Sequence, residues 1–247
     1  MQGSGILTAL VVNGRRVPVA VVSSVRRRTV CVQVYPDGSV VVRIPAGLPL
    51  SSARRFFETK RQWAAAKVEA AHRTAASRPS RTFRDGEKIL FLGRERSIKI
   101  GPDPGRRAGC ELVGDDLLLN VVRQEEGVRK AEADRLVAQW FLSRAGVVFP
   151  TRIERLAPAA GASPARVSYR RNRSRWGSCN AEAKHLTFNW QLLMAPLDIV
   201  DYVVLHELCH LRVSNHSSAF WALVERSMPD FRERRGHLKS LGWRYVL

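Results

Sequence analysis

Two histidines and a glutamate stand close together in the segment His206-Glu207-Leu208-Cys209-His210. Histidines four positions apart project from the same side of a helix, about one turn from each other, so both imidazoles can reach one metal ion. Glu207 lies beside them, within reach of a water molecule bound to that ion. A lone histidine on an apolar face is more often a hydrogen-bonded core residue. Because the chain has only six histidines, this paired spacing favours a metal site instead.

A catalytic zinc ion takes three protein ligands and keeps one position open, so the motif requires a third ligand. His216 follows His210 by six residues, which is the spacing of the His-Glu-x-x-His-x-x-Gly-x-x-His motif. Val213 replaces the glycine of that motif, and we expect Asn215 to end the helix through a left-handed turn instead. The alternative third ligand is Glu225 in the following helix. His216 is the simpler choice, because a single turn fixes its position relative to the helix.

The residues around the motif predict a buried helix that separates metal ligands from core side chains. Residues 197–205 are largely apolar, and Val204, Leu208 and Leu211 fall on the side of the helix opposite the histidines. Before the helix, residues 185–191 predict a strand, which we place at the edge of a sheet beside the metal helix. An extended peptide could pair with such an edge strand.

The first 122 residues predict a mainly antiparallel β region with one helix. Asn13-Gly14 and Asp37-Gly38 are hairpin turns, each between two β-branched runs. Residues 51–76 predict a helix whose aromatic stripe we assign to the core. A second, longer helix begins at Glu125 and is kinked or divided at Pro150. The fold class is therefore α+β, and we expect an N-terminal domain over residues 1–122 and a C-terminal domain, which holds the metal helix, over residues 123–247.

The composition predicts a globular, cytoplasmic protein. The apolar fraction of 45% in 247 residues is sufficient for an ordinary hydrophobic core. The four cysteines are far apart and form no Cys-x-x-Cys pair, and the first five residues lack the features of a signal peptide, which together favour a reducing compartment. No apolar run is long enough to span a membrane, so no membrane partner is expected.

The net charge of +19 is concentrated away from the metal motif. Residues 1–100 hold 19 basic and 6 acidic side chains, whereas residues 201–247 hold 7 and 5. This excess is compatible with a solvated arginine-rich surface or with attraction to nucleic acid, nucleotides or other anions. The basic runs contain few aromatic residues for base stacking, so charge alone names no partner. The oligomeric state is equally open.

Several segments together resemble the YgjP-like metallopeptidase family, which is related to the SprT and WLM zinc-protease domains. The specific likeness lies between about residues 168 and 231, and the N-terminal likeness is looser. The specific segments are Ser174-Arg175-Trp176-Gly177-Ser178-Cys179, Phe188-Asn189-Trp190-Gln191-Leu192, Ala195-Pro196, Asp201 to Leu211, Asn215-His216-Ser217 and Phe220-Trp221. The looser segments are Arg26-Arg27-Arg28, Asp37-Gly38, Trp63 and Leu92-Gly93-Arg94.

The resemblance implies a zincin-like C-terminal domain with one Zn²⁺ per chain, held by His206, His210 and His216. It implies that Glu207 is the general base of a metallopeptidase that hydrolyses peptide bonds with a zinc-bound water. The family has Asn-His where the longer motif has its glycine turn. Arg175 and Asn189, which belong to the matching segments, are our candidate substrate-binding residues.

Three function classes follow from the residues. The first is a zinc peptidase, acting on peptides or on DNA-associated proteins as SprT-like proteases do. The second is a metal-dependent phosphohydrolase of nucleotides, of the nucleoside triphosphate pyrophosphatase type, or of another anionic substrate, because Arg170, Arg171, Arg173 and Arg175 precede the metal helix. The third is a binding module with a structural zinc. Glu207 argues against the third class, since a purely structural site does not use a base beside its ligands.

Overall fold

The computed structural model describes residues 4–35, 37–76, 81–101, 107–122, 125–172 and 174–247. These residues form an α+β fold, as the sequence predicted, and they divide by their contacts into an N-terminal unit, Met1–Pro79, and a C-terminal unit, Ser80–Leu247. Each unit has its own hydrophobic core.

The N-terminal unit is a four-stranded sheet with two helices. Its elements are β1 (Ser4–Val12), β2 (Arg15–Ser24), β3 (Cys31–Val34), β4 (Val40–Pro45), α1 (Leu50–Thr59) and α2 (Arg61–Ala76). The two predicted hairpins are confirmed, and β2 and β4 then pair in parallel to give the order β1-β2-β4-β3. The predicted single helix is interrupted at Lys60. Its aromatic stripe is only partly core, because Phe57 is fully buried whereas Trp63 is 46% exposed.

The first sheet of the C-terminal unit has the same strand order as the N-terminal sheet, although the two sequences are not internal repeats of each other. Its strands are β5 (Lys88–Phe91), β6 (Arg94–Ile100), β7 (Gly109–Val113) and β8 (Asp116–Asn120), in the order β5-β6-β8-β7. The central strands β6 and β8 are parallel, as β2 and β4 are in the N-terminal unit.

The long helix α3 (Glu126–Ala160) continues through Pro150, where we expected a kink or a break. Phe149 and Ile153 are one turn apart and both are buried in the core, so packing on each side of the proline favours a continuous helix. The same core includes Leu117 and Leu119 of β8. The expected boundary at 122/123 lies between β8 and α3, and these two elements share one core. The boundary between the units therefore lies at 79/80 instead.

A three-stranded sheet lies beside the metal helix and has the order β10-β11-β9. Its strands are β9 (Arg166–Arg170), β10 (Gly177–Asn180) and β11 (His185–Asn189). The expectation that residues 185–191 form an edge strand is wrong, because β11 is central, antiparallel to β10 and parallel to β9. The edge strand next to the metal helix is β10, although its polar, glycine-containing sequence is typical of a loop.

The metal helix α4 (Leu197–His210) follows a 3-10 helix at Trp190–Met194 and precedes α5 (Ser218–Ser227) and α6 (Phe231–Leu241). The β5–β6 turn supports its start: Leu92 N donates to Leu193 O at 2.7 Å, and a Cβ on Gly93 would lie 2.8 Å from Pro196 Cα. Among the described residues, none of the helices combines the length and the apolar character that a membrane crossing needs.

A buried ion pair fixes α4 against α3. Asp201 is 4% exposed and accepts hydrogen bonds from Arg152 Nε at 2.6 Å and Arg152 Nη2 at 2.7 Å, with a further bond from Arg155. A bidentate arginine–carboxylate pair is directional as well as strong. The metal helix therefore has a defined rotation relative to α3 before any metal binds.

Candidate metal centre

Three histidine side chains converge at the end of α4. His216 Nε2 lies 3.0 Å from His206 Nε2 and 3.2 Å from His210 Nε2. These residues form a group of metal-binding type whose ligand atoms all lie within 4.8 Å of one another. Separations of this size suit three nitrogens at about 2.0–2.1 Å from one tetrahedral zinc ion. The donor set and its spacing therefore fit zinc.

Hydrogen bonds in the turn after α4 place His216 next to the helix. The amides of Arg212 and Val213 donate to Cys209 O, at 3.1 and 3.0 Å. Asn215 Oδ1 then accepts a hydrogen bond from Ser217 N at 3.2 Å. Asn215 does not have the left-handed backbone that we expected. Its side chain shapes the turn instead, as in an Asx-turn.

The Nδ1 atoms of His206 and His210, on the side of each ring away from Nε2, differ in their hydrogen-bond partners. His210 Nδ1 lies 3.0 Å from Val213 O, so donation from Nδ1 leaves Nε2 free to bind a metal. His206 Nδ1 is buried and has no hydrogen-bond partner in the protein. Both rings therefore present Nε2 to the shared centre.

For His206 and His216, a lowered pKa favours the neutral form that binds metal. Burial, followed by repulsion from His210 and His216, lowers the pKa of His206 to about 3. The pKa of His216 is also lowered, mainly by burial and then by the neighbouring His210. Because a metal competes with protons for imidazole nitrogen, these shifts reduce that competition near neutral pH.

Aromatic side chains of α5 cover one side of the three ligands. The Phe220 ring is fully buried, with its centroid 4.9, 4.3 and 5.0 Å from the rings of His206, His210 and His216. Trp221 stacks on His216 at 5.6 Å. These rings limit the rotamers of the three histidines.

Glu207 is 6% exposed, and burial raises the pKa of its carboxyl to about 7. The positive charge of Arg175 acts in the opposite direction and lowers this pKa. A carboxyl group that titrates near neutral pH is suited to accept and release a proton in catalysis. Among the described carboxyl groups, the one whose pKa is raised therefore lies beside the three histidines.

The raised pKa predicts a pH-dependent stability difference in the metal-free protein. Because the pKa of Glu207 is higher in the folded state than the ordinary 4.5, the folded state holds this proton more tightly than the unfolded state does. The resulting stabilisation is fully present below about pH 4.5 and is lost as the pH rises through about 7. We expect Glu207→Gln to leave stability nearly unchanged at pH 4.5 and to increase it at pH 8, by on the order of 2–3 kcal/mol. Urea unfolding of chelator-treated proteins measures this. Glu182→Gln, at an exposed glutamate, should show no such difference, and an equal effect of Glu207→Gln at both pH values would contradict the prediction.

Gly177 at the start of β10 lies against the Glu207 side chain. A Cβ at this position would lie 2.6 Å from both Cγ and Oε1 of Glu207, which is closer than such contacts allow. The backbone of Gly177 is not left-handed, so the close approach, and not the turn, requires glycine. The sequence analysis did not identify this residue as functional, although it belongs to the segment that resembles the family.

We expect Gly177→Ala to displace the Glu207 carboxylate while the metal stays bound. A shift of about 1 Å in a catalytic group can cost about 100-fold in rate, so kcat/KM should fall by about 10- to 100-fold. Metal content should stay at the wild-type level, since Gly177 does not contact a ligand. Gly146→Ala is the matched control, because a Cβ there meets open space. Wild-type kcat/KM in Gly177→Ala would show that this contact does not position the base.

The structure gives the remaining candidates different surroundings. Glu225, the alternative ligand, forms an ion pair with Arg232. Arg175 is exposed and acts electrostatically on Glu207. Asn189 is 3% exposed, and both ends of its amide have protein partners: Nδ2 donates to Asn172 O at 3.1 Å, and Oδ1 accepts from Gln191 N at 3.2 Å. Arg173 of the basic run lies outside the described residues.

One family model and one solved structure are similar to the chain. A sequence model of the YgjP-like metallopeptidase domain matches residues 28–241. The crystal structure of the metallopeptidase zymogen of Pyrococcus abyssi abylysin is similar to part of the chain, with 23% identity and a TM-score of 0.35, covering 38% of this chain and 95% of that chain. No curated protein matches the chain in sequence.

Proposed function

Because the chain belongs to the YgjP-like metallopeptidase family, we propose that it is a zinc-dependent peptidase of the His-Glu-x-x-His type. In this proposal His206, His210 and His216 hold one Zn²⁺ per chain, and Glu207 is the general base. The substrate is a peptide or a protein. The cytoplasmic location inferred from composition stays a prediction.

The observation that carries the proposal is the convergence of three imidazole Nε2 atoms beside a buried carboxyl group. Three protein ligands leave a tetrahedral ion one open position, as catalytic zinc requires. A site with only a structural role would close all four positions and would not need Glu207. The combination of ligands and base therefore supports hydrolysis.

When bound, zinc polarises a substrate carbonyl and lowers the pKa of a coordinated water. Glu207 accepts a proton from the attacking water and transfers it to the leaving amine. Gly177 and burial limit the positions that this carboxylate can take. Arg175, whose charge favours the ionised form of Glu207, is a candidate to contact the substrate next to the base.

Strand β10 is the proposed substrate platform. In the described part of the chain β10 pairs with β11 alone, so its other edge has free backbone donors and acceptors. Gly177 of this strand contacts Glu207, which places the free edge next to the base. An extended peptide added to β10 would have main-chain hydrogen bonds that do not depend on its sequence.

Internally quenched peptides test the proposed function. We expect the zinc-loaded chain to cleave a subset of a diverse peptide set, a chelator to abolish cleavage, and one equivalent of zinc to restore it. Intact peptides after prolonged incubation with zinc-loaded protein would overturn the proposal. The alternative, a nucleotide phosphohydrolase, rests on the exposed Arg170, Arg171 and Arg175, which precede the metal helix in the sequence, and release of phosphate or pyrophosphate from nucleotides would then replace peptide cleavage.

A further inference from the structure

Three arginines of α6 differ in what their charges contact. Arg232 forms an ion pair with Glu225, and Arg234 forms one with Asp230 at 2.7 Å. Arg235 is exposed and has no ion-pair partner among the described residues. Its guanidinium carbon lies 4.7 Å from the centre of the Trp221 ring. Arg232 also lies 4.7 Å from an aromatic ring, that of Phe231, but Arg235 is the arginine of this helix that combines a ring contact with an unpaired charge.

The ring that holds Arg235 is part of the metal centre. Trp221 lies 5.6 Å from the His216 ring and 5.9 Å from the His206 ring, measured between centroids. The same ring thus contacts the Arg235 guanidinium and lies beside two of the three histidines. Arg235 therefore presents an unpaired positive charge beside the ligands, from the side of α5 and α6.

A second exposed arginine, Arg175, lies two residues before Gly177, whose backbone lies against the Glu207 side chain. Neither arginine has an ion-pair partner in the residues that the structure describes. Unpaired cations beside a zinc-binding site attract anions and repel cationic side chains. Guanidinium groups bind carboxylates through paired hydrogen bonds.

We propose that Arg235 is a specificity residue that binds a carboxylate of the peptide substrate beside the metal centre. This inference rests on the proposed peptidase function. The carboxylate is either an acidic side chain close to the scissile bond or the C-terminal carboxylate of a short peptide. Trp221 holds the guanidinium in place, which reduces the entropy lost when the carboxylate binds.

The test uses one peptide that the zinc-loaded wild type cleaves. Each position flanking the scissile bond is replaced in turn by Glu, Gln or Lys, in versions with a free and an amidated C-terminus. The proteins are wild type, Arg235→Gln, Arg235→Glu and the control Arg232→Gln, in which an exposed arginine of the same helix is paired with Glu225. Zinc content and circular dichroism verify that each variant is folded and loaded.

We expect the wild type to favour Glu over Gln at one position, or a free over an amidated C-terminus, by about three- to fivefold in kcat/KM, as for a solvent-exposed ion pair. The difference should lie mainly in KM. Arg235→Gln should abolish this preference, Arg235→Glu should reverse it in favour of Lys or the amide, and Arg232→Gln should retain it. The position of the preference identifies which carboxylate is bound.

Two results would contradict the inference, and they are distinguishable. Cleavage of all peptides without a charge preference, or a preference that Arg235→Glu leaves unchanged, would overturn the role of Arg235 alone. Failure of the zinc-loaded wild type to cleave any peptide would overturn the proposed function, and the role of Arg235 with it.

Discussion

Replacing Glu207 by Gln is expected to lower peptide hydrolysis by about 10²- to 10⁴-fold while zinc stays bound. The amide has nearly the shape of the carboxyl group and can occupy the same buried position against Gly177. It cannot accept a proton from water, and general-base catalysis contributes a factor of this size. Steady-state kcat/KM, measured with metal content on the same sample, gives the result.

The control for this variant is Glu225→Gln. Glu225 lies on α5 in an ion pair with Arg232, outside the group of three histidines, so its activity should be close to that of the wild type. If Glu207→Gln retains wild-type kcat/KM, another group removes the proton and the mechanism is wrong. If activity and zinc are lost together, Glu207 supports the metal site and its role as a base is not demonstrated.

Replacing His216 by Ala is expected to weaken zinc binding by more than about 100-fold. Loss of a residue that only orients a ligand costs about 10- to 100-fold in affinity, so loss of a ligand should cost more. His216 Nε2 lies within 3.2 Å of both other Nε2 atoms, which leaves two ligands when it is removed. Competition with a chromophoric chelator measures the affinity, and elemental analysis measures the zinc content.

Glu225→Ala separates the two possible third ligands. We expect it to bind one zinc per chain with wild-type affinity, because its carboxylate pairs with Arg232 in an exposed ion pair of small energy. Unchanged zinc affinity in His216→Ala, with loss of zinc from Glu225→Ala, would assign the third ligand to the carboxylate. His216 itself is exposed, so its removal should not unfold the protein.

Local sequence patterns predicted the elements whose determinants are local. The spacing of His206 and His210 on an apolar segment predicts a helix with ligands on one side, and α4 places both at its last turns. The Asn13-Gly14 and Asp37-Gly38 turns predict hairpins because few residues adopt the backbone that these turns require. The helix expected after the metal turn is present as α5, with Phe220, Leu223 and Val224 buried at helical spacing.

Features that depend on pairing between distant segments were not predictable in the same way. Strand β10 has the composition of a loop, and it is a strand because β11 supplies its hydrogen-bond partners. The parallel pairing of β6 with β8 joins hairpins that sequence alone treats as separate. The boundary between the two units depends on the core that β8 and α3 share. No single segment of the sequence shows that these two elements pack together.

The same limit applies at the site. Gly177 is about 30 positions before Glu207, and its importance comes from a distance between them that only the packing of β10 on α4 sets. Asn189 belongs to a segment that resembles the family, but its amide bonds to Gln191 and, across 17 positions of the sequence, to Asn172, and the second contact could not be read from composition. Ligands spaced within one turn are readable from sequence, whereas contacts between elements are not.

The most direct test of the central claim is a comparison of peptide and nucleotide hydrolysis by one zinc-loaded preparation. The chain is incubated in parallel with a complex peptide mixture, analysed by mass spectrometry for new termini, and with a panel of nucleoside triphosphates, analysed for released phosphate. We predict new peptide termini that disappear with chelator and in Glu207→Gln, and no release of phosphate. Phosphate release that depends on zinc and Glu207, without new peptide termini, would contradict the account.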